Sequence, residues 1–175
     1  MIKSLQPIIA AHPFFDGIAE EHLALITGCA RNLRYRPGEH LMREGAAADT
    51  FYLIREGQVL MQINGGQHGL LTVHTAGPGE VVGWSWLVPP YECDFDAQAV
   101  VTTRAIEFEG KCLRRKCEAN PALGYALLKR VSAKLSRHLT MTRAQLLDVY
   151  GRPRSAPSER DEDDQRDGDL YGNFF

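Results

Sequence analysis

The sequence predicts a mainly β domain, a sandwich or jelly roll with helices at both ends, and three observations carry that expectation. Between Leu33 and Phe108 short β-rich runs are separated by glycine-bearing turns: Pro37-Gly38, Glu44-Gly45, Glu56-Gly57, Asn64-Gly65-Gly66 and Gly77-Pro78-Gly79. Turns at about ten-residue spacing suit antiparallel strands and leave no room for the crossover helices of a parallel sheet. On either side of this stretch the apolar residues recur at helical spacing.

The 175 residues form four segments: a helical cap over 1–30, a β-roll over 31–110, helices over 111–150, and an acidic tail over 151–175. In the first, Pro13-Phe14-Phe15-Asp16-Gly17 makes an entry turn, and Leu23, Leu25 and Ile26 follow the acidic Glu20 and Glu21 at helical spacing, so residues 7–29 read as helical. In the second, the strand runs include Thr50–Ile54, Val59–Ile63 and Leu70–Val73. After Phe108 a short helix is expected around 111–118. A long one opens at Asn120-Pro121, a capping residue followed by proline at the first helical position. Along it Tyr125, Leu128, Ser132, Leu135, Leu139, Thr142, Leu146 and Val149 share one seam at alternating three- and four-residue steps. Leu128, Leu135, Leu139 and Leu146 are the association residues this seam predicts; a helix lying along its own sheet is the competing expectation.

Composition excludes several classes. No apolar run approaches the roughly 18 residues that span a bilayer, and the amino terminus lacks a secretory pattern, so no membrane role and a cytoplasmic location are expected. Cys29, Cys93, Cys112 and Cys117 form no metal-like doublets and read as reduced, idle thiols. His68, His74 and Glu80 lack the close His-x-His pair of a metal-binding roll, so solvent-facing or hydrogen-bonded histidines are expected, with no metal and no cofactor. No nucleophile–base pair or dinucleotide loop is visible, and no catalysis is expected. The net charge of −2 hides an asymmetry: residues 151–175 hold seven acids and four arginines. That tail ends in Leu170-Tyr171-Gly172-Asn173-Phe174-Phe175, where Tyr171, Phe174 and Phe175 make a candidate docking tip. The basic run Lys129, Arg130, Lys134, Arg137 and Arg143 reads as a solvated face or a seat for that tail.

Three stretches together resemble the cyclic-nucleotide-binding domain of the Crp/Fnr superfamily: "HPFFDGIAEEHLALI" (12–26), "YRPGEHLMREGAAADTFYLIREGQVLM" (35–61), and "GPGEVVGWSWL" (77–87) with "DAQAVVTTRAIEF" (96–108). Gly38, Gly45, Gly57 and Gly79 fall at turns in the family's order. The resemblance implies a cyclic-nucleotide-binding-like β-roll, a double-stranded β-helix with N-terminal helices and a long C-terminal helix that dimerises. The helix-turn-helix that usually follows has no counterpart in the 26 residues after Val149, so direct DNA binding is not expected.

Within the resemblance, "GWSWLVPPYECDFDAQA" (83–99) occupies the nucleotide cassette. The family pattern places a Glu for the ribose hydroxyl after the glycine and later an Arg for the cyclic phosphate. Here Gly83 is followed by Trp84, Phe95 stands at the Arg position and Asp96 at the small hydroxyl, and no Lys or Arg lies between Arg55 and Arg104. A buried phosphodiester needs a charge-assisted partner, so cyclic-nucleotide binding is not expected. Two readings follow: Trp84 and Trp86 fill the nucleotide's volume, or Trp84, Trp86, Tyr91 and Phe95 form an aromatic ligand or partner site with Ser85 and Asp96 as polar anchors. Leu87 and Gln98 complete the candidate cassette, Gln98 standing where a subgroup with a similar Gly-Trp-Ser-Trp-Leu pattern carries an Arg. Short members of this group include accessory subunits of NAD-reducing soluble hydrogenases. The resemblance therefore implies an accessory or regulatory subunit docked on a larger redox enzyme, or alternatively a stand-alone sensor taking a cyclic nucleotide or other small ligand in an altered mode.

Overall fold

The computed structural model of the chain describes residues 4–150. Two short helices, α1 (Gln6–Ala10) and α2 (Glu20–Thr27), flank a 3-10 turn at Pro13–Phe15. The expected continuous helical region is thus broken. His12 accepts the Phe14 N–H through its ring nitrogen and starts the 3-10 turn, while Gly17 at φ +68° turns the chain before α2. Eight strands follow: β1 (Ala30–Tyr35), β2 (His40–Met42), β3 (Thr50–Glu56), β4 (Val59–Asn64), β5 (Leu70–Ala76), β6 (Val81–Val82), β7 (Asp96–Ala99) and β8 (Thr103–Glu109). Helices α3 (Gly110–Ala119) and α4 (Pro121–Tyr150) close the order. The strands make two antiparallel sheets in the orders β1-β8-β3-β6 and β2-β7-β4-β5. Regular structure resumes at Ala30, three residues earlier than the apolar pattern suggested, because β1 is half exposed and carries Arg31, Asn32 and Arg34.

Two cores lie on the two faces of the first sheet. Side chains alternate along a strand, so β3 sends Phe51 and Leu53 to one face and Tyr52 and Ile54 to the other. Its apolar run is continuous because both faces are buried. On the outer face, Phe51, Leu53, Ile106 and Phe108 pack with Ile9, Phe15, Ile26 and Leu113, and with Leu123 and Leu127 of α4. Inside the roll, Tyr52, Ile54 and Ala105 face Met42, Val59, Met61, Ala97 and Ala99 of the second sheet. The β3–β4 turn demands Gly57, at φ +94°: a Cβ there would lie 2.5 Å from the Thr103 hydroxyl.

The cysteines depart from expectation. Cys29, just before β1, and Cys112 on α3 form a disulfide across 83 residues of sequence, with Cα atoms 5.9 Å apart. Scattered positions in the sequence meet because α3 packs back over the start of β1. Cys93 and Cys117 are free thiols, and burial pushes both above the usual thiol range.

Residues up to Leu135 form one compact unit, and the helix from Ser136 onward belongs to a second. In the first unit, Asn120 caps α4 by accepting the Leu123 N–H at 3.1 Å. The buried stripe of α4 is Leu123, Leu127 and Val131, spaced by four and turned roughly 100° from the predicted association seam. Of that seam, Leu128 and Leu135 are exposed in the first unit, and Leu139 and Leu146 in the second. Among the described residues no helix is long and apolar enough to cross a membrane.

Candidate functional site

The loop between β6 and β7 carries the candidate cassette, and it begins where only glycine fits. Gly83 sits at φ +84°, and a Cβ on it would approach the Met42 sulfur to 2.8 Å. From there the two tryptophans part. Trp84 packs at the edge of the roll core, its ring centroid 5.1 Å from that of Phe95 and tilted by 55°. Trp86 joins the helix-side core, 1% exposed and stacked on Phe51 at 5.1 Å, with Leu87 beside it. The four aromatics therefore do not form one site, and the expectation that both tryptophans fill the roll holds for the position of Trp84 alone. Alternate positions share a face in an extended strand; residues 85–90 are turns and bends.

Phe95, 3% exposed, points into the roll among Met42, Ala97 and their neighbours. Tyr91 is elsewhere. It adopts φ +60°, a region that L-residues rarely occupy, directly after the cis Pro89–Pro90 bond. Over its ring lies the guanidinium of Arg114, 4.5 Å from the centroid. That same guanidinium donates to the Trp86 and Ala48 carbonyls and approaches Asp49, so one arginine of α3 pins both ends of the loop's first half. Arg114 was not singled out in the sequence, since "KCLRRKC" reads only as a basic helix; which of its cations turns inward is a matter of helix phase against the sheet.

The polar residues are committed locally. Ser85 Oγ donates to Asp94 at 2.6 Å, tying the loop across nine residues. Asp96 accepts the Glu44 N–H at 2.8 Å and lies 4.0 Å from Arg43, while the Gln98 side-chain amide donates to the Gly38 carbonyl at 2.9 Å. The acids around the roll are accordingly compensated from outside the interval that lacks cations. Asp49 is held below the usual carboxylate range, chiefly by the hydrogen bond from Lys111. Glu80 is desolvated, which raises it, but the Gly77 N–H, His74 at 2.9 Å and Lys134 at 3.7 Å outweigh this and leave it lowered. The basic run on α4 is correspondingly not all solvated: Lys134 serves Glu80, and Arg130 donates to the Asp16 carbonyl.

A second polar cluster inside the roll carried no sequence signal. Buried Glu107 of β8 accepts from Arg31 of β1, and the Tyr35 hydroxyl lies 3.4 Å away. Tyr52 donates to the Leu41 carbonyl at 2.9 Å, and burial pushes its hydroxyl and that of Tyr35 up. Both partners of Glu107 lie on β1 and none on its own strand, so the carboxylate reads as an ordinary surface acid until the register Arg31↔Glu107 and Tyr52↔Glu107 is known. Tyr171, Phe174 and Phe175 lie outside the described residues.

Two antiparallel four-stranded sheets enclosing a roll, helices before and after, and a loop opened by an obligatory glycine define a nucleotide-binding type of regulatory domain. The cyclic nucleotide-binding domain model matches residues 32–120, slightly more than half of the sequence, and the chain belongs to that family. A structure from Geobacter metallireducens GS-15, assigned as a cyclic nucleotide-binding protein, is 28% identical, with a TM-score of 0.69, 79% of this chain covered and 99% of that one. A cyclic nucleotide-binding-like protein from Brucella abortus is 30% identical, with a TM-score of 0.54 over 65% of this chain and 97% of that one. The Thermus thermophilus catabolite activator protein shares the fold at 24% identity and a TM-score of 0.61, covering 78% of this chain and 62% of that one. In Drosophila melanogaster, cGMP-dependent protein kinase, isozyme 2 forms cD5/T2, is 35% identical over 51 residues, which is 29% of this chain and 6% of the kinase's length.

Proposed function

We propose that this chain is a non-catalytic regulatory module whose roll is closed by its own aromatic side chains and which works by protein association. In this reading it is an accessory subunit docked on a larger cytoplasmic redox enzyme, an NAD-reducing hydrogenase being the class its Gly-Trp-Ser-Trp-Leu pattern suggests. The observation that carries the reading is the Trp84–Phe95 contact: the two positions that resemble the ribose and phosphate anchors hold rings packed at 5.1 Å, one of them buried. A phosphodiester entering that volume would have to displace both rings and would not find an arginine at position 95, and an unpaired buried charge costs several kcal/mol. The exposed leucines at 128 and 135, and separately those at 139 and 146, support association through α4, either with a second copy or with the enzyme. The aromatic tip Tyr171, Phe174 and Phe175 is proposed as an additional docking element.

Calorimetry tests the closed roll. Cyclic AMP and cyclic GMP should bind no better than millimolar, and micromolar affinity for either would overturn the reading. Phe95→Arg alone should not restore binding, because Trp84 still occupies the ribose side. Purification from the native host tests the association: a stoichiometric larger enzyme is expected, and a lone homodimer would favour a stand-alone sensor.

A further inference from the structure

The outer face of the first sheet is covered by helices over Phe51 and Phe108, but its other end is bare and basic. Residues directly opposite in an antiparallel pair point to the same face, and the register sets Arg34 of β1 against Arg104 of β8. Asn32, two residues back on β1, accepts from Arg55 of β3 at 3.2 Å, which brings a third guanidinium across the same surface. Arg36 continues the row, lining a cleft with Arg34 and Glu39. Four arginines thus meet two acids. Glu56 lies 3.5 Å from Arg104, and Glu39 accepts the Arg36 N–H at 2.7 Å, so its carboxylate closes its own turn. Among the described residues neither the Arg34 nor the Arg36 side chain has an ion-pair partner.

Like charges opposite one another across a ladder are unfavourable, and among the described residues Glu56 offsets only the Arg104 half of the Arg34–Arg104 pair. β1 is moreover the edge of its sheet, with no strand beyond it among the described residues. A basic edge repels a second copy of itself and attracts an extended segment of opposite charge. Alternate residues on a strand stand about 6.8 Å apart, which is the spacing of acids at every second position of an extended peptide; Arg34 lies in β1 and Arg36 directly follows its last residue. A single small anion on so open a surface would gain little, whereas several carboxylates held in register add.

We infer that the β1 edge, with Arg34, Arg36 and Arg104, is a docking strip for an extended acidic segment of a partner protein, carrying Asp or Glu at alternate positions. The inference does not depend on whether the roll is closed or binds a nucleotide.

The test is an NMR titration of the isotope-labelled full chain with an eight-residue peptide alternating Thr and Glu. Alternating Thr-Gln and Thr-Lys peptides and inorganic pyrophosphate serve as comparators. Amide shifts should concentrate in residues 31–36 and 103–105. Affinity should fall at least tenfold in R34E/R36E, in the milder R34Q/R36Q, and for the Thr-Gln peptide, while R137E on α4 leaves it within twofold. Shifts centred elsewhere, binding by both double variants as tight as by the unaltered chain, or pyrophosphate binding as tightly as the peptide would overturn the inference.

Discussion

Trp84 and Trp86 stand two residues apart, yet one borders the roll and the other is buried beneath the helices. Trp86 stacks on Phe51, which stacks in turn on Phe108 at 4.4 Å, and its backbone carbonyl is gripped by Arg114. Trp84 packs its ring against Phe95 and is only half-buried. The difference teaches that one short loop supplies both cores: Trp86 belongs to the helix-side core, whereas Trp84 borders the roll beside the candidate cassette.

Substitution should separate the two sides. Trp86→Ala removes one end of the stacked cluster and should cost about 4 kcal/mol in denaturant unfolding, with loss of the native state at moderate temperature. Reduction of the Cys29–Cys112 bond, or Cys112→Ser, releases a long loop on the same side and should cost about 3 kcal/mol. Trp84→Ala should cost less, about 2 kcal/mol, since its ring already meets solvent. A loss for Trp84→Ala equal to that for Trp86→Ala would erase the distinction.

Acid offers a graded probe of the same contrast. Asp49, which fastens β3 to α3, and Glu80, beside the roll, are both lowered in the folded state. Their stabilisation is therefore complete above the ordinary carboxylate range and is lost as pH falls through the lower folded values. Unfolding measured between neutral pH and about pH 3 should show Asp49→Asn losing much of this acid sensitivity. An unchanged pH profile would remove the Asp49 tie from the account. The smallest stability effect belongs to α4: Leu135→Glu with Leu139→Glu should change unfolding by less than about 0.5 kcal/mol, both residues being exposed. Solution mass should nevertheless fall if these residues form the association surface.

How much was legible follows the range of the interactions. The strand run 50–54, the Asn120-Pro121 helix start and the turn glycines were readable because local periodicity and backbone conformation determine them. The residues expected at the anchor positions of the cassette, Trp84 and Phe95, were readable as residue identities, and their role belongs to the proposed function. The buried stripe of α4, Leu123, Leu127 and Val131, was not legible, since Leu127 and Leu128 are equally apolar and the choice between them depends on where the sheet lies.

The sequence by itself determined a β-roll with terminal helices and a long C-terminal helix, because strand alternation, glycine turns and helical periodicity act over a few residues. Only the tertiary structure decided that Cys29 meets Cys112, that Arg114 grips the loop, that Glu107 is buried against Arg31, and that Trp86 leaves the roll. Each of these joins residues at least 28 positions apart or sets the direction of a turn. Such contacts depend on sheet register and helix phase, which no short stretch of sequence encodes.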